Sequence, residues 1–355
     1  DGHGVYCSKT DRAEAVADLQ YLEPSRPFRG GFQYSNQGVM LAGHVAEAVT
    51  GKSWEKLVQE RILDPAGMKD TYTTIDGLKG SKNRSVGYIF AETANLPQPY
   101  LDLKSIGPAG AINSTAEDIA KYMLIQLGDT EGFCSKESLT EMHKPQTLGT
   151  PYLWQLEEIT DTYYGLCWDT DKYRGIPIVA HGGNTLGFSS RITLMPSEDF
   201  GVAVLTNGTT NFLTDALTYT LLDALLDVDG PNWDEKLSAT VTAVFEAMGQ
   251  AMQAKAEAQV KDTALSHDPA AYAGKYTAPG YGTMVIKEAD GVFSGCFNGY
   301  DAMLNRYHYD IFDITMLVYG MSFQAGFHTG VSGQIDGFEC YIEPTVKPVF
   351  FTKVS

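Results

Sequence analysis

Tyr34 and Asn36 stand two residues apart in Phe32-Gln33-Tyr34-Ser35-Asn36. On a rigid turn that spacing lets a phenol and a carboxamide point the same way, one as a proton carrier and the other as a hydrogen-bonding arm. A second cluster, His181-Gly182-Gly183-Asn184, sets a group that titrates near neutrality beside two residues without side chains. The glycines have a physical use there: they let an extended substrate lie against a strand edge and leave the Asn184 N–H free to donate to an oxyanion. Taken alone, His181 reads as a satisfied core histidine at a strand end; with Tyr34-Ser35-Asn36 and the intervening run in register it reads as a site residue. Ser53-Trp54-Glu55-Lys56 is the only Ser-x-x-Lys spacing in the chain. Its serine falls at a helix N-cap, where the hydroxyl is committed to backbone N–H groups, so it is read as a cap beside a solvated lysine. The seven histidines include no H-x-x-x-H or comparable cluster with an acidic partner, so neither a metal nor another cofactor is called for.

The elements that must position these groups follow from periodicity. Val39, Ala42, Val45, Ala46 and Val49 recur at helical spacing and Gly51 caps the C-terminus, so Tyr-Ser-Asn sits on the turn feeding a helix. Thr50-Gly51-Lys52-Ser53 ends as a phosphate loop does, but position 46 is Ala instead of Gly and a helix precedes it, so no nucleotide site is read there. A further helix, Asp11 to Leu22, precedes the Tyr34 turn, and another runs from Trp54 to Leu63, stopped by Pro65-Ala66-Gly67. Residues 68–113 are loop-rich and read as a lid or substrate wall. Ser114-Thr115-Ala116-Glu117 is a capping box opening a helix that ends at Gly128. Tyr163 to Trp168, Ile176 to Ala180, Ser189 to Met195 and Val202 to Thr206 read as strands, with His181 to Gly187 between the second and third. Helices are expected over Asn211 to Leu226 and Trp233 to Val260. Beyond Tyr272 come short strands, Gly282 to Lys287, Val292 to Phe297, Tyr307 to Phe312, Ser322 to Thr329, Phe338 to Ile342 and Pro348 to Lys353. Phe297, Tyr309, Phe312, Phe323, Phe327, Phe350 and Phe351 supply their apolar faces, which argues a small antiparallel barrel or sandwich.

The 355 residues imply two domains, the larger of about 200 to 250 residues. A formal charge of −18 argues against nucleic acid and against an anionic membrane surface, both of which need clustered Lys and Arg. No apolar run approaches the length of a membrane span. Cys7, Cys134, Cys167, Cys296 and Cys340 are scattered and odd in number, so free thiols are expected. The sequons at Asn83, Asn113 and Asn207 would matter only in a secreted protein, and nothing in the chain indicates a compartment.

Tyr34-Ser35-Asn36, then Pro108-Ala109-Gly110 with Ser114-Thr115-Ala116-Glu117-Asp118, then His181-Gly182-Gly183 follow one another in the order seen in β-lactamase-related serine hydrolases. The sequence resembles that superfamily of class C β-lactamases, penicillin-binding peptidases and esterases, in which a Ser-x-x-Lys nucleophile, a Tyr-x-Asn turn and a Lys-Thr-Gly or His-Gly-Gly strand converge. Tyr272-Ala273-Gly274-Lys275-Tyr276 and the Tyr307 to Phe312 segment are similar to the lipocalin-like module that follows such domains. The resemblance implies an α+β fold: a β-lactamase-like domain over 1–232, an antiparallel sheet flanked by helices and incomplete at its N-terminus, a connecting helix over 233–265, and an all-β barrel over 266–355. It also implies that the nucleophilic Ser and its Lys lie on a segment upstream of this chain, which is a fragment inactive by itself. In the complete enzyme Tyr34 would relay the proton and activate the deacylating water, and His181 would support the tyrosine hydroxyl or the substrate. Asn36 would hold the acyl side, Gly182 and Gly183 would admit the substrate, and the Asn184 N–H would join the oxyanion hole. The expected partners are a small ester, amide or peptide and the upstream segment, with a homodimer possible through the barrel. An esterase or D-amino-acid-type peptidase fits better than a true β-lactamase, because a mostly neutral imidazole anchors a carboxylate less well than an ammonium. The alternative is a catalytically silent protein that binds a ligand in the same cleft.

Overall fold

The computed structural model of the chain describes residues 11–91, 94–149, 156–209, 212–318, 321–343 and 345–354. Cys7 and Asn211 lie outside them. Strands β1 (Gly87–Ala91) and β2 (Ala94–Gln98) form a hairpin inside the segment expected to be loop. A six-stranded antiparallel sheet follows, in the order β3 (Thr147–Leu148), β4 (Ile159–Tyr164), β5 (Asp169–Tyr173), β6 (Ile176–Thr185), β7 (Phe188–Met195) and β8 (Phe200–Thr206). Trp168, Val179 and Leu194 pack with Met123 of helix Ala116–Leu127 on one face of the sheet. On the other, Tyr173, Ile178, Met195 and Val202 pack under Tyr219 and Leu222 of helix Leu213–Leu225 and under Trp233 and Leu237 of helix Trp233–Glu257. Helices therefore cover both faces, and each strand shows its alternate side chains to a different core.

The helices before the sheet carry the first expected site residues. In chain order, α1 (Arg12–Asp18), α2 (Asn36–Thr50), α3 (Trp54–Val58), α4 (Ile75–Gly80), α5 (Ala116–Leu127) and α6 (Lys136–His143) precede the sheet, and α7 (Leu213–Leu225) and α8 (Trp233–Glu257) follow it. Gly51 ends α2 at φ 68, the left-handed cap expected of it. Winding after α3 does not stop at Pro65: a π turn over Gln59–Leu63 passes into Asp64–Ala66, where the proline occupies a first-turn position whose N–H would have no partner. Gly67, at φ 65, ends it. The cap of α5 is Thr115, whose hydroxyl accepts the Asp118 N–H at 3.2 Å, because Ser114 uses its hydroxyl on Thr71 at 2.7 Å. The capping box thus starts one residue later than its sequence suggests.

β6 continues five residues past Ala180, to Thr185, and includes His181-Gly182-Gly183-Asn184, where the sequence suggests a connection. Tyr163 to Trp168 is not one strand, since β4 ends at Tyr164 and a turn leads into β5.

The C-terminal part closes into a barrel of eight antiparallel strands: β9 (Gly274–Ala278), β10 (Gly282–Ala289), β11 (Val292–Phe297), β12 (Tyr300–His308), β13 (Ile311–Met316), β14 (Ser322–Thr329), β15 (Ile335–Cys340) and β16 (Val349–Lys353). Each strand pairs with its sequence neighbours, and β16 closes on β9. Tyr276, Phe297, Phe312, Phe338 and Phe351 are fully buried and fill the interior. Tyr307 to Phe312 turns back on itself at Tyr309-Asp310, with Tyr309 at φ 45, so the run of aromatics marks a hairpin and not a strand. The Asp310 carboxylate holds that turn by accepting from Tyr272 Oη at 2.5 Å and the Ser266 N–H at 2.9 Å. Tyr309 and Phe350, expected in the core, are exposed: Tyr309 sits in the hairpin turn outside the strands, and Phe350 points outward from β16.

Candidate active site

Ser35 caps α2, its hydroxyl accepting the Gly38 N–H at 3.1 Å, and this aims Tyr34 away from the helix axis at the residue before the cap. The helix is held from below. Met40 is fully buried with Ala15 and Ile106, and the buried Arg12 joins Glu47 of α2 to Glu55 of α3. At Gly43 a Cβ would come within 2.3 Å of Pro108 Cγ, so glycine allows α2 to lie directly against the Gly107–Gly110 turn.

The sheet contributes the facing wall. β5 begins at Asp169, opposite Ala180 of β6, so His181 to Thr185 pair only with β7, from Ile192 to Phe188. Beyond Ala180 the β5 side of β6 is an unpaired edge, and alternate residues along it turn both N–H and C=O toward that side. His181 shares a strand face with Val179, which packs toward α5.

Between these walls is a cleft of about 1280 Å³ that Tyr34, Asn36, His181, Gly182, Gly183 and Asn184 all line. The Tyr34 and His181 rings lie 6.0 Å apart between centroids. Tyr34 Oη donates to Asn36 Oδ1 at 3.3 Å, so the phenol and carboxamide are joined to each other. The Asn184 side chain is occupied, its Oδ1 accepting from Ser189 Oγ at 2.6 Å. His181 is expected to support a tyrosine hydroxyl, and it meets a different one from that read in the sequence: its Nε2 is 3.2 Å from Tyr164 Oη, and its Nδ1 is 2.6 Å from the Gly182 carbonyl. Burial pushes the Tyr34 phenol above its ordinary pKa, with the negative potential of Cys167 and Asp169 adding to the shift. Burial pushes Tyr164 up as well, helped by Cys167, Tyr34 and Asp169. Near neutrality both phenols therefore keep their protons and act as donors until a base takes them.

Several lining groups carry no sequence signal of a site. Tyr164 reads as a strand aromatic, yet it packs edge-on to Tyr34 at 6.3 Å and tilted on Phe32 at 4.9 Å. Ser114 ends a chain of polar contacts on the opposite wall: Lys121 Nζ donates to Asp118 at 2.7 Å, and Thr71 donates to the same carboxylate at 2.9 Å. Tyr100 stacks on Phe188 at 6.3 Å to form an apolar wall. Ser53 accepts the Lys56 N–H at 3.3 Å as a helix cap, and neither residue lines the cleft. Among the described residues no group of three or more His, Cys, Asp or Glu side chains is placed to hold a metal ion.

With this geometry in view, the chain can be compared with known proteins. The family described as Beta-lactamase matches residues 4–227, and a domain of unknown function, DUF3471, matches residues 258–353. The unguisins hydrolase ungD of Aspergillus violaceofuscus is 30% identical over 312 residues, 78% of this chain and 54% of that protein. Its counterpart ungD' of Aspergillus campestris is 29% identical over 284 residues, 77% of this chain and 52% of that protein. The chain spans about half the length of these curated relatives. Among solved structures, the octameric penicillin-binding protein homologue from Pyrococcus abyssi superposes with a TM-score of 0.55 at 20% identity, covering 96% of this chain and 70% of that one, a likeness of fold.

Proposed function

The chain belongs to the beta-lactamase family, and from that premise we propose that it is the greater part of a serine hydrolase that cleaves an ester or amide through an acyl-enzyme. The observation that carries the reading is the meeting of Tyr34, Asn36 and the unpaired His181-to-Asn184 edge in one cleft. The cleft serines Ser85, Ser114, Ser189 and Ser190 have Tyr88, Glu117, Ile192 and Thr193 three places on, so none has the Ser-x-x-Lys spacing. The attacking serine and its lysine are therefore assigned to a segment upstream of the chain.

In the assembled site the serine oxygen bonds to the substrate carbonyl carbon, and its proton passes to the Lys and Tyr34 pair. The negative charge that develops on the carbonyl oxygen is met by the Asn184 N–H and the serine N–H. The leaving group departs with a proton returned by Tyr34, and Tyr34 then takes a proton from the water that releases the acyl group. Asn36 holds the acyl side of the substrate, and Gly182 and Gly183 keep the strand edge clear for it. His181 stands where related enzymes have a lysine, which disfavours a substrate anchored by its carboxylate. An ester or a D-amino-acid-type peptide bond fits better, and the naming of the Aspergillus relatives as hydrolases agrees with hydrolysis. The barrel, its interior filled by aromatic rings as in a lipocalin-like module without a ligand, shapes access to the cleft or pairs subunits.

The test is to produce residues 1–355 with and without the preceding coding sequence, then measure p-nitrophenyl ester hydrolysis and look for an acylated serine by mass spectrometry. The chain alone should be silent and the longer protein active. Robust turnover by the chain alone, with an adduct on Ser53 or any other serine in it, would overturn the assignment. Binding without turnover in the longer protein would favour a silent ligand-binding protein.

A further inference from the structure

Tyr164 is the last residue of β4, and His181 lies on β6, two strands away. Two strand spacings are roughly 9.6 Å, too far for direct contact through an intervening strand but within the joint reach of a phenol and an imidazole. The intervening strand stops short: β5 begins at Asp169, which pairs with Tyr164 on one side and with Ala180 on the other. His181 is thus the first β6 residue with no β5 neighbour, and the Tyr164 ring crosses the gap, at 6.2 Å between centroids and 67° between planes. The root of Tyr164 is fixed. Its carbonyl accepts the Gln146 N–H at 2.9 Å, and the next residue, Gly165, lies where a Cβ would come within 2.6 Å of the Met142 carbonyl oxygen. The turn that follows is closed by Gly165 N–H donating to the Trp168 carbonyl at 2.7 Å.

The two contacts of the imidazole determine where its proton sits. A backbone carbonyl only accepts, so the 2.6 Å contact of Nδ1 with the Gly182 oxygen requires the proton on Nδ1. In the neutral ring Nε2 then carries the lone pair, and the 3.2 Å contact with Tyr164 requires the phenol to donate. Tyr34 does not compete for this nitrogen, because its own hydroxyl donates to Asn36.

We propose that Tyr164 is a positioning residue that caps the Nε2 lone pair of the His181 Nδ1–H tautomer, so that Nε2 is reached only through the Tyr164 hydroxyl. The kinetic part rests on the hydrolase reading; the tautomer does not. The titratable groups that face this pair are Tyr34 from the turn before α2, Cys167 from the turn after β4 and Asp169 from β5.

Long-range ¹H–¹⁵N spectra of the full chain, with His181 identified by its loss in His181→Asn, read the tautomer directly. The wild type should show an unprotonated Nε2 and a protonated Nδ1 in the neutral ring. In Tyr164→Phe the Gly182 carbonyl still holds the proton on Nδ1, so Nε2 should stay unprotonated but lose its donor, and its ¹⁵N signal should move downfield of the wild-type position. Tyr34→Phe should keep the wild-type tautomer. A protonated Nε2 in the neutral wild type overturns the proposal even if Tyr164→Phe fails to fold, and so does a Tyr164→Phe spectrum that matches the wild type. In the longer, active protein, Tyr164→Phe should lower kcat with KM little changed, because it frees Nε2 without altering the strand edge that holds the substrate. If the tautomer is as stated but no turnover is found, the hydrolase reading falls and the Tyr164 assignment stands. Turnover with the other tautomer gives the reverse.

Discussion

Tyr34 carries little of the fold and much of the proposed chemistry. Its ring is 39% exposed, and its hydroxyl makes one long bond, to Asn36 at 3.3 Å. Loss of a half-exposed neutral hydrogen bond costs about 0.5 to 1 kcal/mol at most, so Tyr34→Phe should melt close to the wild type. In the enzyme complete with its nucleophile the same change removes the proton carrier, and turnover of a simple ester should fall by at least about a hundredfold. Steady-state kinetics beside a thermal melt decides between the two roles. Unchanged turnover removes Tyr34 from the mechanism, and a large drop in melting temperature makes it structural.

Asp223 is the reverse case, a polar residue spent on packing. It accepts from Tyr173 Oη at 2.6 Å, Arg174 Nε at 2.8 Å and Trp233 Nε1 at 2.7 Å, which ties β5 and α8 to α7. Burial by itself would push its carboxyl up, but the hydrogen bonds from Arg174, Tyr173 and Trp233 outweigh that and hold it below the ordinary value. A carboxyl lowered in the folded state adds stability above its unfolded pKa of about 4, and that stability is lost as pH falls through the folded value. Asp223→Ala should therefore cost about 3 to 5 kcal/mol at neutral pH. Asp223→Asn should flatten the fall in melting temperature below about pH 4. An Asn variant with the full wild-type acid sensitivity would show that other carboxyls set it.

At the scale of elements, the approach of α2 to the Gly107–Gly110 turn is the contact on which the cleft wall depends. Alanine at position 43 would gain about 1 kcal/mol of helix propensity over glycine. The added methyl would also meet the Pro108 ring at 2.3 and 2.9 Å, and a proline ring has no flexible end to move aside. Overpacking of that kind costs about 1 to 3 kcal/mol, so the clash should win and Gly43→Ala should lower the denaturant midpoint. Because Pro108 lines the cleft, KM should change as well. A raised midpoint would mean that the turn slides freely, and the wall could not then be called fixed. The sheet is built with the same economy, since stopping β5 one residue before His181 both opens the β6 edge and lets Tyr164 reach across.

At the scale of the molecule, the two cores have separate supports. Segment 258–268, between α8 and the barrel, is largely exposed, whereas the barrel strands are closed edge to edge. Limited proteolysis should therefore cut first in that segment and release a resistant barrel. Early cuts within the final strands would count against separate cores. A second expectation concerns association. β8 pairs only with β7 among the named strands, and Leu213, Leu217, Leu221 and Leu225 of α7 form an exposed stripe at four-residue spacing. An open strand edge and an apolar helix face are both adhesive, so light scattering on the chain alone should show association that grows with concentration. A strictly monomeric chain at high concentration would mean that these surfaces are protected in solution.

What the sequence by itself determined was whatever depends on neighbours along the chain. The turn at Tyr34-Ser35-Asn36, the helix after it and its Gly51 stop, and the apolar strand faces of Phe297, Phe312, Phe327 and Phe351 follow from side-chain chemistry within a few residues, and all are present. The order of Tyr34-Ser35-Asn36 and His181-Gly182-Gly183 pointed to the family on the same local basis. Tertiary structure decided everything that depends on where a strand ends or on what lies across a gap. The Tyr307 to Phe312 aromatics fold into a hairpin because Tyr272 and Ser266, distant in sequence, bind Asp310 at the turn. Tyr164 becomes the partner of His181 only because β5 leaves space between them, a consequence of register across three strands that no local pattern encodes.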